Sequence, residues 1–206
     1  MMLRIILIAL TAVSLVPPSG FAAQGDNPNW PCIQRQVPEL SIGQIWTGRQ
    51  LPPEAADWSR DDAISRLVED LAARRLPLPQ AQAQVIAYRT GLPDDRKWQR
   101  SAMLVQGLFD KMNSERSQVM FGIARYAQRQ REMATRLRQE ASAIDALRAK
   151  PDASGNELAL RSERLTFQTR IYQERVESLT FVCEVPTLIE QRLYALVKTL
   201  SDAAAK

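Results

Sequence analysis

The chain has 206 residues and no histidine. That removes the side chain most often used as a general base near neutral pH, and the commonest ligand for zinc and copper. Serine triads and cysteine–histidine pairs cannot be built without it. Cysteine is almost as scarce. Cys32 and Cys183 are the only two, and neither has a C-x-x-C neighbour. Thiol oxidoreductases keep their resolving cysteine at that spacing, so redox catalysis is not indicated. Haem attachment through C-x-x-C-H fails on both counts. No G-x-G-x-x-G or phosphate-loop pattern occurs, and there is no clean repeat. Two acidic stretches, residues 93–95 (PDD) and 151–157 (PDASGNE), lack the alternating acids and distal glutamate of a calcium loop. They read as a helix cap and a turn. No metal, cofactor or catalytic residue is expected.

Long apolar runs are also lacking, with one exception at the start. Arg4 precedes an apolar run from Ile5 to Val16, which Pro17 and Pro18 break. About a dozen residues are too few for a spanning helix, which needs ~20. Gly20-Phe21-Ala22 fits the small-x-small rule for cleavage, so residues 1–22 are read as a signal peptide. Export to the periplasm is the expected localisation. The full chain carries a net charge of +4, and removing residues 1–22 takes away only Arg4. That balance does not call for nucleic acid as a partner.

What is present is helical pattern. Residues 23–58 come first, as an extended arm rich in proline and tryptophan, with room for one short helical turn in VPELSIGQIW. Residues 59–206 form a single helical domain. Ser59 and Asp62 suggest a capping pattern for a helix over about 59–76, with Ile64, Leu67, Val68, Leu71 and Ala72 on one face. A second helix runs over about 79–90, between Pro79 and Gly91. A third, about 94–149, keeps apolar residues at three-and-four spacing, with Asn113 as a candidate break. After a turn at 150–156, Leu158, Leu165, Tyr172, Leu179, Leu193 and Leu200 repeat every seven residues, with Val176, Cys183 and Val197 beside them. Pro186 falls in that series, so the spacing predicts two pieces, about 157–185 and 187–202. The fold class is therefore all-α: a long antiparallel helical hairpin with coiled-coil-like packing, two shorter N-terminal helices and a proline-rich extended arm.

Folding the hairpin about Ala153 sets Cys183 opposite Ile123 and beside Gly122, whose lack of a side chain would admit a close approach. The arm can then lay Cys32 on Cys183. An intrachain disulfide is the expectation; two free thiols and pairing between chains are the alternatives. The same folding brings Glu177 towards Arg129, and Glu174 towards Arg131 or Glu132. Arg125, Arg129, Arg131, Arg136 and Arg138 are thus read as the rim of a packed seam, with an acidic partner or anionic lipid surface as the functional alternative. Trp30 and Trp46 of the arm are either buried anchors or part of an interaction surface.

The function that these features favour is an exported, non-enzymatic scaffold, adaptor or assembly factor for another envelope protein. A homodimer is compatible with the coiled-coil seam, and a membrane surface is not required. Two other readings stand beside it. Secreted chorismate mutases are similar in class alone, being exported, all-helical and reliant on arginine, lysine and carboxamide groups. The periplasmic hairpin chaperones of envelope stress carry L-T-x-x-Q; here residues 165–169 are LTFQT and 179–183 are LTFVC, and neither ends in glutamine.

Overall fold

The computed structural model describes residues 30–204, so the expected signal peptide lies outside the described residues. Helix α1 is a single turn, Ile42–Ile45, and a 3-10 helix follows at Pro53–Arg60. Three further helices build up the chain: α2 (Asp62–Ala72), α3 (Leu78–Thr90) and α4 (Asp94–Arg148). Helix α5 (Gly155–Ala204) returns antiparallel to α4 and packs against it. There is no strand among the described residues. The all-α hairpin is as the sequence predicts.

Local chemistry explains most of the boundaries. Asp61 caps α2, its carboxylate accepting the Ala63 and Ile64 amides at 3.1 and 3.0 Å. Ser59, the predicted cap, sits inside the 3-10 helix instead. The two proline-led starts, Pro77 before α3 and Pro93 before α4, are helix boundaries where a missing amide costs nothing. Helix α4 runs unbroken through Asn113, and at 1.5 Å per residue it is roughly 80 Å long. The Asn113 side chain is used by the arm: its Oδ1 accepts the Leu40 amide at 3.2 Å.

Pro186 departs most from expectation. It lies inside a continuous α5 and is buried. A proline there loses one backbone hydrogen bond, at a cost of about 3 kcal/mol or more in an isolated helix. Tertiary packing on both sides offsets that cost. Cys183 is held just before it, and Ile189, Leu193, Leu196, Val197 and Leu200 are buried just after it.

Those five residues join Ile64, Val68 and Leu71 of α2, Ala81 and Val85 of α3, and Leu104, Leu108 and Met112 of α4 in the main core. The core occupies the base of the hairpin. Two features tighten it. Gly107 lies where a Cβ would meet Val68 Cγ2 at 2.7 Å and the Trp58 ring at 2.9 Å, so only glycine lets the 3-10 helix and α2 come this close to α4. Arg192, 8% exposed, donates from Nε to the Leu71 carbonyl at 2.8 Å and from Nη1 to the Leu76 carbonyl at 2.9 Å. It satisfies the Leu71 carbonyl in the last turn of α2 and the Leu76 carbonyl in the segment that follows. Burial pushes its pKa down, but a guanidinium stays charged.

The Asp61 carboxyl is held below its ordinary 3.8, first by the Ile64 amide and then by Arg100, with burial opposing them. A carboxyl depressed in the folded state stabilises above its unfolded pKa and stops doing so as pH falls through the folded value. Asp61→Ala is expected to cost about 1 kcal/mol at neutral pH. The gap between its urea midpoint and the wild type's should narrow as pH drops below 3.8. A gap of constant size down to strongly acid pH would refute this account of the cap.

Candidate functional site

Two surfaces emerge once the base is built: the pinned arm and the free shaft of the hairpin. The arm is fixed covalently. Cys32 and Cys183 are joined, with 2.03 Å between sulfurs and 5.5 Å between Cα atoms. Both are buried with Ile123, forming a small second core against which Trp30, Val119 and Leu179 pack. Cys183 therefore does sit opposite Ile123, as the folding about Ala153 implies. The neighbouring glycine plays no part: a Cβ on Gly122 would meet nothing within 4 Å. The bridge reaches α5 from a side where Gly122 does not stand in the way.

Polar contacts extend the attachment along the arm. The Pro38 carbonyl accepts from Arg116 Nη1 at 3.4 Å and from Ser117 Oγ at 3.3 Å. Arg116 is 2% exposed and also ion-pairs with Glu190 of α5. One guanidinium thus ties α4, α5 and the arm together. A buried cation with a single carboxylate needs such extra acceptors, because desolvation costs several kcal/mol per ion. The sequence gives no sign of this role, since Arg116 differs from its exposed neighbours only in its place on the helix wheel.

Trp30 and Trp46 are half-buried anchors. Trp30 Nε1 donates to the Gln34 carbonyl at 2.6 Å, and the ring packs on the disulfide cluster. Trp46 Nε1 donates to the Arg49 carbonyl at 2.7 Å. Its ring lies 6.4 Å from that of Trp98, over which the Arg49 guanidinium is placed at 5.1 Å. Trp30 and Trp46 belong to different clusters.

Those arginines divide into two sets. Arg131 donates to Gln128 at 2.6 Å and Arg138 to Thr135 at 3.1 Å, both local contacts along α4. Arg125, Arg129 and Arg136 are exposed and have no carboxylate partner among the described residues. The acids expected to meet them are elsewhere. Glu174 pairs with Arg170 on its own helix at 3.0 Å, and Glu177 is exposed and has no ion-pair partner among the described residues. At 100° per residue, Arg125, Arg129 and Arg136 lie largely across α4 from the buried Ile123, Ala127 and Gln130. They form an outer edge, not a seam rim. The ion pair that does close the hairpin is nearer its tip, where Arg161 grips Glu140 through two bonds at 2.9 and 3.0 Å. Arg161 holds the Glu140 carboxyl below its usual range.

Cavities add little. One of about 420 Å³ lies between α2 and α4, lined by Glu69, Asp70, Arg74, Arg75, Lys111 and Glu115. Its charges pair internally, Lys111 with Glu69 and Arg74 with Glu115. Another of about 310 Å³ lies beside the disulfide and includes Ile33, Val176, Thr180 and Glu184. Neither gathers the nucleophile, base and acid that covalent chemistry requires. No helix among the described residues is long and apolar enough to cross a membrane.

Replacing Cys32 and Cys183 together by serine should lower the stability of the oxidised protein by about 2–5 kcal/mol, the usual range for a long loop closed by one bridge. Limited proteolysis of that variant should cut first within residues 30–40. Equal urea midpoints for the variant and the parent, with no new cleavage there, would contradict a clamping role. No family model, curated protein or solved structure matches this chain, so its function has to be argued from these surfaces.

Proposed function

We propose that the protein is exported and acts without catalysis, as a scaffold or adaptor that docks its hairpin on an acidic surface of another envelope protein. The observation that carries this reading is the uncompensated row Arg125, Arg129 and Arg136 on the outside of α4. Three guanidiniums at intervals of four and seven residues line one side of α4. They span roughly 16 Å at 1.5 Å per residue. Isolated exposed ion pairs contribute little to stability, so the base has no need of this row. A row of planar donors suits carboxylates on a partner, which arginine can grip in pairs. Export is supported by the pattern of residues 1–22 and by the cysteine pair, which suits an oxidising compartment.

The test is a photocrosslinking side chain placed at Arg129 in the native envelope, with Arg66 of α2 as the control position. Adducts specific to position 129 are expected, and they should weaken as salt rises, because exposed charges are screened. Introducing Arg125→Glu and Arg136→Glu into the crosslinking chain should abolish them while the helical content stays unchanged. If positions 129 and 66 yield the same adducts, or the charge reversals leave them intact, the proposal is overturned.

A further inference from the structure

The side of α5 turned away from α4 carries an apolar row that its own fold does not use. Leu160, Phe167, Phe181 and Leu188 are 59%, 63%, 73% and 51% exposed. They lie on one seven-residue series, two positions beyond the inner seam of Leu158, Leu165 and Leu179. Two positions is about 200° of rotation on an α-helix, so this row faces directly outward. An exposed row of large apolar side chains over some 28 residues is costly in water unless something covers it.

The row is also a palindrome. The member midway, between Phe167 and Phe181, is Glu174. Leucine stands 14 positions away on either side of it, and phenylalanine seven positions away on either side. In an antiparallel two-fold pair residue i meets j while j meets i, so this spacing sets leucine on leucine and phenylalanine on phenylalanine. We propose that this face binds a second copy of the chain, antiparallel, with the two-fold axis passing beside Glu174. Phe167 of each copy then lies on Phe181 of the other, and Leu160 on Leu188. The seam is roughly 42 Å long at 1.5 Å per residue.

Charge near the axis supports the antiparallel direction. Glu163, Arg170, Glu177 and Glu184 run down one flank of the row. In the antiparallel arrangement Arg170 is within one residue of level with Glu177 of the second copy, on the same flank, and this happens twice. A parallel pair would carry this flank to opposite sides of the two copies, so Arg170 and Glu177 would not meet. The two Glu174 side chains meet near the axis, where each already has its own Arg170 at 3.0 Å. Glu163 and Glu184 approach each other at the two ends, where the pairing is opposed by like charge. Beside this flank stands Ile33 of the arm, 92% exposed and sharing a cavity with Thr180 and Glu184. The disulfide thus holds one more apolar side chain at the edge of the face.

This inference does not depend on the arginine row of α4, which lies on the other helix. Sedimentation velocity of the purified, oxidised chain at tens of micromolar is the experiment. The parent should be a dimer, and Phe167→Glu a monomer with unchanged helical content, because Phe167 is exposed and supports no core. Arg170→Glu alone and Glu177→Arg alone should each weaken the dimer several-fold, while the two together restore it, since the reversed charges meet again across the axis. The triple reversal of Arg125, Arg129 and Arg136 should leave the dimer intact. A monomeric parent, a dimer indifferent to Phe167→Glu, or a double reversal no better than the singles would each overturn the proposal.

Discussion

The structure depends on burying one face of the last third of α5. Ile189, Leu193, Leu196, Val197 and Leu200 are removed from water by α2, α3 and α4 together. Fully burying a side chain of this size contributes about 1.5–3 kcal/mol. That burial keeps α5 helical through Pro186 and gives the short helices a floor. It also brings Arg192 under the end of α2, where its guanidinium meets two carbonyls. The shaft from about residue 120 to the tip has no comparable core. It is held by a thinner seam of Ile123, Ala127, Gln130 and Ile144, by the Glu140–Arg161 pair, and by the Tyr126 hydroxyl donating to the Arg175 carbonyl at 3.1 Å.

Much of this was legible in the sequence because it depends on period and punctuation. The seven-residue series placed the hairpin, and folding it about Ala153 set Cys183 against Ile123. What stayed hidden depends on the third dimension. Pro186 reads as a break in any one-dimensional rule, yet packing on both sides outweighs its lost hydrogen bond. Asn113 is a poor helix former by propensity, but its amide acts as a receptor for the arm. Ser59 looked like a cap because a 3-10 helix cannot be told from loop by period alone, and Asp61 two residues later holds that position. The pairing of the hairpin arginines was misjudged for a related reason. Which acids they meet depends on the rotation of two helices about their axes, and a small rotation turns a rim into an outer edge. The apolar row of α5 was in plain sight, but only the exposure of Phe167 and Phe181 separates it from an ordinary core stripe.

The two surfaces complement each other. In the proposed pair, α5 helices meet in the middle and the α4 helices lie outside, so two arginine rows become available to one partner or to two. Linked sites gain effective affinity without any new contact, provided the geometry lets both engage. A chain without histidine also has no side chain whose ordinary pKa falls between pH 5 and 8.

The unbroken course of α5 has a mechanical consequence. One rigid rod carries both the free tip near Ser154 and the hydrophobic floor at Leu200, with the sulfur bond acting as a stay at its middle. A load applied at the far end is therefore not absorbed by a hinge. It arrives at the foot of the rod as leverage on α2 and α3.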